Sequence, residues 1–294
     1  MSRITEILCG ESWLFVPARE KMMRSKGKDA ADVVIYDLED ALGPDEKDTG
    51  LALLAQALSR NTEPSGTSDA SGMSAAPDLS EAARHPRVYI RINGGTDRVE
   101  KELTTLKNCE FEGYVLPKTE DLSLADRYPD LFENRRIAAL VETPRGILNL
   151  DRIAGDSRVY ALMLGGEDFC ASLGVPSSPE ALAYARAQII LFAAAYGKKS
   201  LDTVSFEYRD QELFLTQFEA SLKLGFSGKL MIHPAQARAA ADREAGLLDS
   251  EALSRAAEIV RLYHEAGGGA LVLDGKVYEA MHIARLERLC IRRS

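Results

Sequence analysis

RIAALVETPRGILNLDRIAGDSRVYALMLGGED, residues 136–168, decides the fold. It holds two short, nearly unbroken apolar runs, RIAALVE (Arg136–Glu142) and VYALMLGGED (Val159–Asp168). A run of this kind suits a strand buried on both faces. Between them, Glu142-Thr143-Pro144 has the form of a helix start, because proline suits the first helical turn. The stretch reads as strand, helix, strand, and each strand run closes on a carboxylate.

The same pattern extends outward in both directions. Further strand runs are Ser12–Pro17 (SWLFVP), Asp32–Asp40 (DVVIYDLED), Arg87–Asn93 (RVYIRIN), Gly113–Lys118 (GYVLPK), Ser200–Ser205 (SLDTVS) and Gly228–Pro234 (GKLMIHP). Helical segments follow most of them. Asp45–Ser59 carries Leu51, Leu54, Ala55 and Leu58; Pro179–Tyr196, Gln211–Leu224 and Ala235–Ala245 are the others. Eight strand–helix units in a chain of 294 residues predict a (β/α)8 barrel of the TIM type, spanning residues 1–246. A doubly wound open sheet is the alternative, weakened because no Gly-x-Gly-x-x-Gly follows the first strand. The stretch at about 62–86, rich in Ser, Gly, Ala and Pro, reads as a mobile surface insertion. Residues 247–294 form a C-terminal helical extension: a helix over Ser250–Ala266, a Gly267-Gly268-Gly269 break, a strand-like ALVLDGKVYE, and a last helix to about Arg292. This tail is free to pack on its own subunit or to cross to a neighbour.

Composition removes several function classes. The net charge of −9 and pI near 5.2 argue against a dedicated nucleic-acid binder. No apolar stretch has signal-peptide or membrane-spanning length, so no membrane association is expected. Cys9, Cys109, Cys170 and Cys290 include no CxxC pair, which predicts free thiols in a reducing cytoplasm. No Gly-x-Ser-x-Gly elbow and no P-loop is present.

In such a barrel, catalytic groups collect at the carboxyl ends of the strands. In chain order these are Arg19 and Lys21; Asp37, Glu39 and Asp40; Arg91 and Asn93; Lys118; Glu142; Glu167 and Asp168; Asp202; and His233. Carboxylates dominate. Glu142 and Asp168, on consecutive strands, suit a hard divalent cation, which takes oxygen ligands. Either of them also suits a helix cap. Asp37, Glu39 and Asp40 would repel one another without a cation or an arginine close by. Arg91, inside an apolar strand, needs carboxylate partners; pairing with these acids and clamping a substrate carboxylate are both open to it, and the two roles are not exclusive. Lys118 has the same choice. Arg19 and Lys21 are basic groups near the barrel mouth. His233 reads as a hydrogen-bonded structural residue.

SWLFVPARE, VVIYDLEDALGPDEKD, VYIRIN, GYVLPKTED, ALVETPRGILNLDRIA, LMLGGEDF and DTVSFEYRDQELF…LGFSGKLMIHPAQ together resemble the citrate lyase β-subunit (CitE-like) family of the HpcH/HpaI aldolase superfamily, which includes malyl-CoA and citramalyl-CoA lyases. The resemblance covers nearly the whole chain in the same order. It implies a (β/α)8 barrel, commonly a homotrimer, that carries out Mg2+-dependent cleavage of a 3-hydroxy-3-carboxy acyl-CoA thioester to acetyl-CoA and a 2-keto acid. The family's metal ligands fall on Glu142 and Asp168, its substrate-carboxylate arginine on Arg91, and its acidic motif on Asp37, Glu39 and Asp40. Lys118, Glu39, Asp40 and Glu142 are then expected to contact substrate beside Arg91, with Asp37, Arg91 and Glu279 in the catalytic group and Arg19 and Lys21 as the coenzyme A contacts. A C-terminal acid of the family enters a neighbouring subunit's site. Here Gly275-Lys276-Val277-Tyr278-Glu279 matches that segment, with Glu279 in place of the usual Asp and Met281-His282 where a proline is expected. Two alternatives stand beside this reading: a citrate lyase β subunit acting on citryl bound to an acyl-carrier protein, and a non-catalytic acyl-CoA-binding member.

Overall fold

The computed structural model describes residues 8–59, 85–94, 97–248 and 250–291. The insertion at 62–86 lies outside these residues up to position 84. The chain divides into two compact units, one of Glu11–Arg238 and one of Ala239–Ser294 with the described part of Met1–Gly10. The division falls inside the helix Pro234–Leu247.

The larger unit is a closed barrel of eight strands in sequence order: β1 (Glu11–Pro17), β2 (Val33–Asp37), β3 (Arg87–Arg91), β4 (Gly113–Leu116), β5 (Arg136–Val141), β6 (Val159–Leu164), β7 (Lys199–Asp202) and β8 (Gly228–Met231). Neighbouring strands are parallel, and β8 closes on β1. The closed ring sets aside the open-sheet alternative. Each apolar run quoted above is a strand, although several strands stop short of their run. Glu167 and Asp168 are not on β6: they occupy the first turn of the helix Gly166–Leu173 that follows it.

Side chains alternate along each strand. Val33 and Ile35, Ala138 and Leu140, and Ala161 and Met163 point inward, where they pack with Trp13, Tyr89, Val115, Leu201 and Leu230. The same alternation takes Asp37, Arg91 and Glu142 into the barrel's carboxyl end, since each lies two positions beyond an inward residue (Ile35, Tyr89, Leu140). The opposite end is closed by Glu11, which pairs with Arg87 (3.0 Å) and Lys199 (2.9 Å) and accepts from the Trp13 indole N–H (2.9 Å). The covering helices carry ordinary end signals. Ser178 caps Pro179–Ala195, and Asp210 caps Gln211–Leu224.

In the smaller unit the helices Ser250–Glu265 and Ala280–Ile291 pack around Ile259, Tyr263, Ile283, Leu286 and Leu289. The strand-like piece is an antiparallel hairpin, β9 (Ala270–Leu273) with β10 (Lys276–Glu279). Its two-residue turn is Asp274-Gly275, both with positive φ, as a hairpin of this length favours. Among the described residues no helix is long and apolar enough to cross a membrane.

Candidate active site

A cavity of about 400 Å³ opens at the carboxyl end of the barrel. Phe15, Leu140, Leu164, Val204 and Leu230 form its apolar side, and Asp37, Asp40, Arg91, Glu142, Glu167 and Asp168 its charged side. Larger hollows of about 640 and 650 Å³ lie near Arg135 and Arg158 and along the helix Ser250–Glu265. Both are open surface grooves, and neither joins paired carboxylates to a buried cation.

Arg91 organises one half of the site. It is registered against Asp37 on the neighbouring strand. Its Nε and Nη2 donate to the two oxygens of Asp37 at 2.8 and 2.5 Å, a two-pronged bond of the strong kind. Its Nη1 lies 3.0 Å from Glu39 and 3.4 Å from Asp40, and the guanidinium covers the Phe15 ring at 4.9 Å. Burial works against the Arg91 charge, but the hydrogen bonds and charge of Asp37, then Glu39 and Asp40, outweigh it and raise its pKa. The acidic run thus has its arginine. Asp37 also accepts from the backbone N–H groups of Glu39 (2.9 Å) and Ala41 (3.3 Å), so its oxygens hold both Arg91 and the loop. Glu39 is placed differently. Its Oε2 is buried and close to Arg91 but lies off the N–H directions, so it has no hydrogen-bond partner. Burial raises the Glu39 carboxyl to about 7; Asp40 and Asp37 add to this against Arg91 and Lys118.

A second network fixes that loop from behind. Lys47 donates to the backbone oxygens of Leu38 and Glu39 and to Asn93 Oδ1. The Asn93 side chain in turn donates to Leu38 O and to buried Glu102. Asn93 therefore serves the loop's backbone and does not line the cavity.

Glu142 and Asp168 form the other half. Glu142 is 3% exposed, and its Oε1 accepts from the Lys118 N–H at 2.7 Å. Lys118 adopts a left-handed conformation there (φ 47°), and its Nζ lies 3.8 Å from Glu39. The helix after β5 is capped by Thr143, whose hydroxyl accepts from Gly146 N–H, so Glu142 is free of capping duty. Burial, the hydrogen-bonding carboxyl of Asp168 and the charge of Glu39 push the Glu142 carboxyl up to about 8. Gly165 lets the two carboxylates meet. It bonds to Val141 O across the β5–β6 edge, and a Cβ on it would stand 2.7 Å from Glu142 Oε2.

These residues fit a hard divalent cation. Glu142 is buried, makes no ion pair among the described residues, and stands within hydrogen-bonding reach of the Asp168 carboxyl. No group of three or more His, Cys, Asp or Glu arranged to hold a metal ion is present among the described residues. A cation held by two carboxylates keeps open positions for water and substrate oxygens, the usual arrangement for Mg2+.

Arg19, Lys21, His233 and Asp202 are not part of the cavity wall. Arg19 is half exposed and engaged by Glu46 through two bonds of 2.9 and 2.7 Å; Lys21 is exposed in the short helix Glu20–Met23. His233 stacks on Tyr208 at 4.7 Å and accepts from Ala235 N–H, the structural role expected of it. Asp202 is buried beneath the helices, bonded to Arg186 and Ser221. Glu279 is the exposed last residue of β10 in the smaller unit, its N–H donating to His282. The sequence did not single out Thr203, which lines the cavity and meets the Gly165–Gly166 turn, or Lys229, which bonds to its carbonyl oxygen.

The model of the HpcH/HpaI aldolase/citrate lyase family matches residues 11–234. A citrate lyase subunit beta-like protein of Deinococcus radiodurans is 32% identical over 290 residues, covering 95% of both chains. A (3S)-malyl-CoA thioesterase of Cereibacter sphaeroides is 28% identical over 280 residues, covering 92% of this chain and 90% of the relative. The crystal structure of CitE from Mycobacterium tuberculosis in complex with magnesium, acetoacetate and coenzyme A superposes with a TM-score of 0.69 at 26% identity, over 97% of this chain and 98% of that one. With its closed barrel and the carboxylate pair at its mouth, the chain belongs to the HpcH/HpaI aldolase/citrate lyase family.

Proposed function

We propose that the protein is a Mg2+-dependent carbon–carbon lyase that cleaves a 3-hydroxy-3-carboxy acyl-CoA thioester, of the citramalyl-CoA, malyl-CoA or citryl-CoA type, to acetyl-CoA and a 2-keto acid. The single observation that carries this is the buried Glu142 beside Asp168, facing a cavity that also holds Arg91. The family is one of aldolases and citrate lyases, so the class of chemistry follows from membership. Support for the cation and the thioester comes from the CitE structure, which holds magnesium, a keto acid and coenzyme A.

Glu142 and Asp168 would hold the metal, which when bound polarises the hydroxyl and carboxylate oxygens of the substrate. Arg91, fixed by Asp37, presents its remaining N–H groups to the substrate carboxylate, with Lys118, Glu39 and Asp40 around it. Phe15, Leu140, Leu164, Val204 and Leu230 exclude water from the other side. A carboxylate takes the hydroxyl proton, the C–C bond breaks to leave the keto carbonyl, and the electron pair passes to the thioester enolate, which is then protonated to acetyl-CoA. We assign the proton transfer to Glu279 of a neighbouring copy in a homotrimer, on the strength of its motif, and the coenzyme A phosphates to Arg19 and Lys21.

A second reading is hydrolysis of the thioester, favoured by the relative named (3S)-malyl-CoA thioesterase. Chromatography of products from malyl-CoA and citramalyl-CoA separates the two. The lyase yields acetyl-CoA with glyoxylate or pyruvate in Mg2+ and nothing in EDTA. Hydrolysis yields free coenzyme A and the intact hydroxy acid. Cleavage untouched by EDTA or by Glu142→Ala would overturn the metal mechanism, and turnover only on an acyl-carrier-protein thioester would make the protein a citrate lyase β subunit.

A further inference from the structure

Between the barrel wall and the helices over β7 and β8 lies a set of charges that the proposed reaction does not use. Leu201 and Leu230 point into the core, so their strand neighbours Asp202 and Lys229 point outward beneath the helices. Asp202 is 1% exposed and Lys229 is 2% exposed. Asp202 accepts from Arg186 Nε at 2.9 Å and from Ser221 Oγ at 2.6 Å, with Lys229 Nζ at 3.5 Å. Burial depresses the Lys229 ammonium against the pull of Asp202. Apolar side chains of similar volume would serve the fold as well as such a buried charge set, or better. Its distinctive product is a fixed backbone: Lys229 Nζ donates to the carbonyl oxygen of Thr203 at 2.7 Å.

Thr203 faces the other way with its side chain. Its Oγ1 accepts from the Gly166 N–H at 3.0 Å. Gly166 opens the helix Gly166–Leu173, whose N-cap residue, Gly165, offers no side chain. The hydroxyl from the next strand's loop therefore does the work of an N-cap. The fit is close, since a Cβ on Gly166 would stand 2.7 Å from Thr203 Oγ1 and 3.1 Å from its Cβ. On the other side of the turn Gly165 lies against Glu142. Asp168 is in the first turn of the helix so pinned.

We propose that Thr203 is a positioning residue that caps the Asp168 helix from a neighbouring strand and holds Asp168 beside Glu142, and that the buried Lys229–Asp202 set exists to fix Thr203. This rests on the reading of Glu142 and Asp168 as the metal-holding pair. The test is calorimetric titration of Mn2+ into the purified protein, which needs no turnover. Thr203→Val keeps the shape and removes the acceptor; the Mn2+ dissociation constant is expected to rise about tenfold, the scale of one buried hydrogen-bond partner lost. Thr203→Ser restores it to within about twofold, because the hydroxyl returns. Lys229→Met weakens Mn2+ binding in the parent but adds little on top of Thr203→Val, as two residues acting through one contact should. If Lys229→Met fails to fold, the two Thr203 variants decide alone. Thr203→Val binding as tightly as the parent, or Thr203→Ser no better than Thr203→Val, overturns the proposal while leaving the metal site standing. A parent protein that binds no Mn2+ overturns the metal reading, and the positioning role with it.

Discussion

Gly165→Ala isolates the contact on which the carboxylate pair depends. Gly165 has φ −89° and ψ 81°, a negative φ that alanine can adopt, so the backbone itself offers little objection. The objection is Glu142: the new Cβ would stand 2.7 Å from its Oε2, 2.8 Å from its Cβ and 3.1 Å from its Cδ. Atoms at these separations overlap, and two of the three belong to the stem and carboxyl root of a buried side chain. Either Glu142 turns away, losing the 2.7 Å bond from Lys118 N–H, or the Gly165 segment backs off β5 and carries Asp168 with it. Overpacking of this kind costs about 1–3 kcal/mol of stability. Displacing one of the two proposed metal carboxylates should weaken Mn2+ binding by roughly 10- to 100-fold, or about 1.4–2.8 kcal/mol. Gly174→Ala, at the far end of the same helix, is the control. Gly174 sits at φ 73° with nothing within 4 Å of a new Cβ. It should lose about 1–2 kcal/mol to left-handed strain and keep the parent affinity. Thermal unfolding and Mn2+ calorimetry on both variants give the comparison. Unchanged affinity in Gly165→Ala would refute the reasoning. So would equal losses in both variants, because metal binding would then merely follow the helix's stability.

Other outcomes follow from the same geometry. The Glu142 carboxyl is raised from 4.5 to about 8 in the fold, so its proton stabilises the metal-free protein fully below 4.5 and is lost as pH rises through 8. In EDTA the parent should therefore lose stability relative to Glu142→Gln between these values, by at most about 5 kcal/mol; parallel urea-unfolding profiles would contradict this. Arg91→Lys keeps the charge but not the two-pronged bond to Asp37. It should cost about 1.5–3 kcal/mol in urea unfolding and raise KM for the thioester, and an unchanged KM would remove Arg91 from substrate binding. Asp202→Asn strips the buried Lys229 of its counter-charge and should cost about 3–5 kcal/mol, with a loss below about 1 kcal/mol showing that Lys229 is held neutral. Mg2+ at 100 times its dissociation constant should stabilise the EDTA-treated protein by about 2.7 kcal/mol, read as a rise in Tm that Glu142→Ala abolishes.

The barrel was legible because strands buried on both faces leave unbroken apolar runs, and all eight stand in their expected order. Their carboxyl ends were less legible. Leu38 and Ile92 remain fully buried after β2 and β3 have ended, so apolar character outlasts the ladder. Arg91 announced its partners, since a guanidinium within an apolar strand has to find acids. The same argument was open at Lys229, a cation inside the run GKLMIHP, and would have pointed to Asp202. The hairpin in the tail had its signal in Asp274-Gly275. No local pattern reveals that a threonine hydroxyl caps a helix from 37 residues away, because that depends on which strands lie side by side.

The closed end of the barrel has an optical consequence. Trp13 is the only tryptophan in the chain. It is completely buried, 4.8 Å from the Tyr89 ring, beneath the Arg87 guanidinium and bonded to Glu11. Its emission should be blue-shifted when the barrel is intact and should move to the red as the barrel opens. Phe15 and Leu230, and not Trp13, form the cavity wall. The indole is thus a built-in gauge of barrel integrity that is insulated from the mouth, so a single fluorescence trace can report unfolding while metal or thioester is titrated at the other end.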